Sequence, residues 1–317
     1  MRNLLIATLA LTLFACGDSD TDSNNSGTNN GTTAGTNNRT TAGTNNGTTA
    51  GTNNGTTAKN TSVVATFNGL EDLGADFVYE GWIITSDGPV SAGRFSVTTD
   101  PTEFTFEADT EIAMGTKYVL TIEPKANDVP APASTHVLAG DLTDGSATLT
   151  AADGGALGDD FSTAAGSVFL QTPSTADADD FNNGVWFFDP TGNPPLPLTL
   201  PTLPAGWKYE GWVVTADGPI STGTFTATDV ADDDGKGATA GPDGTPPFPG
   251  SDFISPPIDL STSTAVISIE PDPDNAAAPF AFKPLVVKLA SPAAGVPTAF
   301  TLNLTSFPTG SVKVSLK

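Results

Sequence analysis

Residues 79–95, YEGWIITSDGPVSAGRF, return at residues 209–225 as YEGWVVTADGPISTGTF. A second landmark follows each copy: Leu120-Thr121-Ile122-Glu123-Pro124 after the first and Ile267-Ser268-Ile269-Glu270-Pro271 after the second. Two landmarks repeated in one order mark a duplicated unit. Whatever one copy builds, the chain must build twice. The second copy is longer between its landmarks, mostly within residues 229–252.

Each copy reads as antiparallel β-structure. Asp87-Gly88 and Asp217-Gly218, flanked by β-branched and aromatic residues, carry the dipeptide that favours tight hairpins. Elsewhere apolar and polar residues alternate, as in Val312, Val314 and Leu316, in Phe300, Leu302 and Leu304, and in Leu196, Leu198 and Leu200. A period of two with one apolar face marks half-buried strands. With 33 Gly and 26 Pro among 317 residues, a helical bundle is excluded, because both residues break helices. The fold class expected is all-β, with two tandem antiparallel β-sandwich (Ig-like) repeats after a disordered low-complexity linker. The boundaries read from the sequence are a first repeat over 61–155, a bridging strand pair over 156–190 and a second repeat over 191–317.

The amino-terminal residues read as an address. Arg2 precedes a largely apolar run over residues 4–15, too short to span a bilayer but suited to a secretory signal. It ends in Leu13-Phe14-Ala15-Cys16, which resembles a bacterial lipobox, so residues 1–15 read as a lipoprotein signal peptide and Cys16 as the lipidated residue. Gly17 after the cysteine favours the outer membrane. Residues 16–60 then form a Gly/Thr/Asn-rich tether with four octads from Gly27, such as GTNNGTTA. No residue there can build a core, so disorder is expected.

Composition narrows the function. Acidic residues outnumber basic ones 36 to 12, a net charge of −24, which removes nucleic acid as a partner because phosphate binding rests on Lys and Arg. One Cys and one His allow neither a disulfide framework nor a Cys/His zinc site. The lone His136 reads as structural, and no G-x-S-x-G elbow occurs.

Two groups of residues carry candidate chemistry. Glu80 and Trp82 share a strand face, as do Glu210 and Trp212. A carboxylate beside an indole suits a sugar-binding platform, or half of a glycosidase pair with Glu123 or Glu270; equally, the tryptophans are packing residues and the glutamates rim residues. Glu123 and Glu270 alternate with Ile122 and Ile269 and so are expected to face solvent. In the DVADDDGKG insertion, Asp229, Asp232 and Asp234 offer oxygen ligands around a glycine turn, the donor type calcium takes; a solvated acidic loop is the competing reading. No other cofactor is implied.

The landmarks together resemble a known family. A Trp-containing strand (Trp82), a G-P-x-S-x-G-x-F hairpin (Gly88 to Phe95), an Glu-Pro turn (Glu123-Pro124) and a strand from Pro132 to Gly140 come in the order of the extracytoplasmic C-terminal domain of anti-sigma-K factors. The resemblance implies a cell-envelope β-sandwich that senses or binds something. Anti-sigma factors of this type also carry a sigma-binding domain and a transmembrane helix, neither of which reads from this sequence. The leading expectation is therefore a lipid-anchored, non-enzymatic envelope protein with a binding, adhesion or structural role, reaching the membrane through its lipid and an envelope polysaccharide or protein as partner. The alternatives are an accessory or sensory protein of an extracytoplasmic signalling system, and a carbohydrate-active enzyme using Glu80 and Glu210.

Overall fold

The computed structural model describes residues 61–108, 112, 115–233, 246–274, 276–290 and 292–316. All of them fall within one compact unit, Gly55–Lys317. The signal peptide, the tether, Cys16 and Asp234 lie outside the described residues. The described chain is all-β, as its alternation requires. Every strand pair in it is antiparallel.

The first half supplies β1 (Thr61–Asn68), β2 (Phe77–Thr85), β3 (Gly88–Phe95), β4 (Thr102–Ala108), β5 (Lys117–Pro124), β6 (His136–Asp141) and β7 (Ser146–Leu149). There follow β8 (Ser167–Leu170), β9 (Gly184–Trp186), β10 (Phe188–Asp189), β11 (Leu196–Pro197), β12 (Trp207–Thr215) and β13 (Gly218–Phe225). The rest are β14 (Gly250–Asp252), β15 (Thr264–Pro271), β16 (Leu285–Lys288), β17 (Thr298–Ala299), β18 (Thr301–Leu302) and β19 (Thr309–Leu316).

The duplicated landmarks occupy equivalent places. One sheet runs β3-β2-β5-β6, and its counterpart runs β13-β12-β15-β16-β18. The Asp-Gly signals close the β2–β3 and β12–β13 hairpins. In each, a threonine hydroxyl (Thr85, Thr215) donates to the glycine carbonyl four positions into the turn (Gly88, Gly218) and accepts the aspartate N–H. The opposing sheets are β4-β1-β19-β7 and β14-β9-β8-β17. Phe67 of β1 stacks on Phe95 of β3 at 5.3 Å, and Phe95 on Phe104 of β4 at 4.7 Å, so the first pair of sheets meets face to face through aromatic rings. A single hydrophobic cluster runs from Val63 to Val314 through both repeats.

The sheets cut across the boundaries read from the sequence. β8 and β9, in the segment read as a bridge, join β14 and β17 in the second repeat's own sheet. β19, counted with the second repeat, lies between β1 and β7 of the first. The alternation of Val312 and Val314 is borne out, since both are buried there, whereas Leu316 is exposed. The other two alternating runs give less strand than their pattern implies: Leu196–Pro197 and Thr301–Leu302 form two-residue strands, Thr199 makes an isolated bridge to Ala165, and a short 3-10 turn covers Leu304–Ser306.

Candidate functional site

The S-x-G of each hairpin builds a β-bulge. On β2 and β3, Glu80 pairs with Arg94 and Trp82 with Ser91, leaving one residue too many opposite Gly81. The second hairpin shifts at the same point, Gly211/Trp212. Gly93 takes a φ of 103°, open to glycine and costly for other residues. The extra residue turns the serine towards the neighbouring strand: Ser91 accepts the Gly93 N–H at 3.2 Å and donates to Glu80 Oε1 at 2.5 Å. Ser221 accepts the Gly223 N–H at 3.1 Å and donates to Glu210 Oε1.

A second chain of hydrogen bonds crosses the same face. Trp82 Nε1–H donates to Thr121 Oγ1 at 2.9 Å, Thr121 donates to Glu123 Oε1, and the Ala133 N–H donates to that oxygen at 2.8 Å. In the second repeat Trp212 donates to Ser268 at 2.8 Å, Ser268 to Glu270 Oε1, and the Phe280 N–H to the same oxygen at 2.9 Å. Trp82 and Trp212 are 3% and 2% exposed, so neither indole offers a face for stacking. Trp82 packs with Val119, Ala139 and Ala156. Glu80 and Glu210 are buried beside them.

Glu123 and Glu270 are not solvent-facing as expected; each is 1% exposed. Their side chains do leave the core face, but the loop after each strand folds back over the outer face and donates an amide ten residues on. Burial pushes the Glu123 carboxyl up from its ordinary range, and pushes Glu270 up to about 8.

The repeats differ at one position of this site. In the first, Arg94 fills the space beside the glutamates, with Nε 3.3 Å from Glu80 Oε2, Nη1 3.4 Å from Asp128 Oδ2, and Nη2 donating to the Pro124 carbonyl. In the second, Thr224 stands opposite Glu210 where Arg94 stands opposite Glu80. There Glu210, Glu270 and Asp274 each bring a carboxylate oxygen within 4.8 Å of the others. They line a hollow of about 300 Å³ together with Lys208, Thr224 and the 271–273 turn. Lys208 reaches Asp233 at 3.0 Å and Asp272 at 4.0 Å. Glu270 Oε2 is buried with no hydrogen-bond partner.

Of the other candidates, Asp232 and His136 have structural partners. Asp232 accepts the Gly250 N–H at 2.9 Å, tying the insertion to β14, while Asp229 is exposed; their expected third partner, Asp234, is outside the described residues. His136 Nδ1 lies 2.8 Å from the Gly155 carbonyl oxygen. Asp274, missed in the sequence, is distinguished there only by its place in the Glu270-Pro271-Asp272-Pro273-Asp274 run.

Fold and site together define an antiparallel all-β protein with a recurring hairpin whose polar groups are mostly internal. Residues 4–158, a little under half of the chain, match the family described as anti-sigma-K factor rskA, C-terminal. The match ends before β8, so it spans the first repeat as far as β7 and includes Trp82, the β2–β3 hairpin and Glu123-Pro124. The resemblance carried by those residues is thus shown, and the first half of this chain is similar to that family. No curated protein and no solved structure matches significantly. Among the described residues no helix is long and apolar enough to cross a membrane.

Proposed function

We propose that this chain is a non-enzymatic accessory or sensory protein of an extracytoplasmic signalling system, moored to the envelope through an acylated Cys16. One observation carries the reading: the family match covers the whole hairpin-and-bulge assembly of the first repeat, and that family is named for an anti-sigma factor. The disposition of the glutamates supports a framework role over a hydrolytic one. Glu80, Glu123, Glu210 and Glu270 are all buried, each held by a serine or threonine hydroxyl, and Glu123 and Glu270 by a main-chain amide as well. A glycosidase needs two carboxyl groups open to the sugar.

Deleting the gene in its own host should change transcription from one extracytoplasmic sigma-factor regulon several-fold, with restoration by the intact gene. An unchanged transcript profile together with lost surface attachment would return the protein to the adhesion or structural reading. The anchor has its own check. Mass spectrometry should find acyl chains on Cys16, and Cys16→Ala should move the protein from the membrane to the soluble fraction.

A further inference from the structure

Two Asn-Gly pairs stand among the described residues, and the fold treats them differently. Asn183-Gly184 is locked. The Asn183 carbonyl accepts the Phe253 N–H, the Gly184 carbonyl accepts the Gln171 N–H, and a Cβ on Gly184 would lie 2.1 Å from the Gln171 oxygen. Asn68-Gly69 lies where β1 ends, and both residues are exposed. The register with β4 stops at Phe67, so Asn68 keeps only its place opposite Thr309 of β19. Gly69 turns the chain with a φ of 74°, and even a Cβ there would come no nearer than 3.6 Å to another residue, Pro308. Its N–H donates to Asp100 Oδ1 at 2.9 Å, at the surface.

We infer that Asn68 is a self-modifying residue, deamidated by the Gly69 main-chain nitrogen with the Asp100 carboxylate as general base. The amide following an asparagine can close on its side chain, and a glycine there leaves the nitrogen unshielded. What holds the reaction back is the proton on that nitrogen. A base must stand about 2.6–3.2 Å away to take it, and Asp100 does. As the proton passes to Asp100, the bond from Gly69 N to Asn68 Cγ forms. The Cγ–Nδ2 bond then breaks, and the nitrogen leaves as ammonia with the proton Asp100 returns. Water opens the cyclic imide at either carbonyl, giving an aspartyl or an isoaspartyl link to Gly69; nothing is oxidised or reduced. Ring closure requires Asn68 to leave its place opposite Thr309, the terminal pair of the strand, where opening costs least. The isoaspartyl product adds a backbone carbon two residues before Leu70, which is buried in the core. The aged chain should therefore be looser where β1 leads into the core.

The full chain should be aged at neutral pH while folded, digested with trypsin and mapped by mass spectrometry, with an isoaspartyl methyltransferase reporting the rearranged link. Lys59 separates the Asn68 peptide from the Asn-Gly pairs of residues 16–60, so their conversion is scored apart. Asn68 should convert at least tenfold faster than Asn183. Asp100→Asn, nearly isosteric, should slow Asn68 about tenfold or more, and Asp100→Glu should restore part of the rate; circular dichroism checks that both are folded. Asn68→Gln should remove the signal, and its melting midpoint should stay put on ageing while that of wild type falls. Conversion of Asn68 no faster than Asn183 would overturn the assignment. So would a folded Asp100→Asn protein that converts as fast as wild type or faster, which would show that the hydrogen bond guards the amide instead of activating it.

Discussion

Glu71 lies in the wall of a hollow of about 480 Å³ bounded by both repeats, which also takes in Phe77, Ile122, Pro271, Asp274 and Phe280. Burial pushes its carboxyl up to about 7, against the opposing pull of Lys283 and with a smaller push from Asp274. The folded-state value therefore lies above the unfolded one. Between about pH 4.5 and 7 the native state holds more protons than the unfolded state, so this residue's contribution falls as pH rises and levels off above that window. Glu71→Gln should remove that part of the slope, up to ~3 kcal/mol across the window. Urea unfolding at pH 5 and pH 8 measures it as the difference between wild type and variant. Equal slopes in the two proteins would mean that Glu71 is as well solvated folded as unfolded.

The hairpin with its bulge is the element on which both polar networks hang. Gly88 and Gly93 of β3 separate two of its requirements. At Gly88, φ is 119° and a methyl group would meet nothing within 4 Å; at Gly93, φ is 103° and a Cβ would sit 2.6 Å from Phe106 and 2.7 Å from Phe104. Gly88→Ala should thus cost only backbone strain, about 1–2 kcal/mol. Gly93→Ala should add overpacking of about 1–3 kcal/mol to that and disturb the Ser91–Glu80 contact. Chemical denaturation ranks the two; a Gly93→Ala variant no weaker than Gly88→Ala would refute this account of the bulge. The turn of this element was legible from sequence, because an Asp-Gly turn is local chemistry; the bulge at Gly81 and Gly211 emerged only from the strand register. Glu123 and Glu270 were misread for a nonlocal reason. Alternation with Ile122 and Ile269 states correctly which way the side chains leave the core face, but outward is solvent only where nothing covers the sheet. The loops that bring the Ala133 and Phe280 amides to these carboxylates cover it, and no period in the sequence announces a loop folding back. The carboxylate group at Asp274 was hidden likewise, since it assembles from β12, β15 and the turn after β15.

At the scale of the whole molecule, the repeats are interlocked rather than strung in tandem. In the second repeat β9 pairs with β8, which precedes it; in the first, the same place beside β1 is taken by β19, from the far end of the described chain. The boundaries could not be read from the landmarks because the landmarks lie inside each unit, while the boundary depends on which distant strand completes a sheet. Pairing across the chain also makes folding slow, since the first repeat's sheet must wait for the last strand and loop closure grows costlier with separation. Cutting the chain after Phe307 should consequently do more than fray an end. It strips β1 and β7 of a shared neighbour and removes Val312 and Val314 from a core continuous through both repeats. The cooperative melting transition should be lost from both repeats at once, with dye-binding apolar surface exposed. The register suggests the rescue: Leu316 pairs with Thr61, so placing residues 309–316 ahead of Thr61 through an Asn-Gly turn makes a β19–β1 hairpin, the local arrangement β8 and β9 already have. Calorimetry of the shortened and rearranged chains decides the matter. A shortened chain that melts like the intact one would show that each repeat stands alone, and failure of the rearranged chain to recover a single transition would show that β19 does more than fill its place in the sheet.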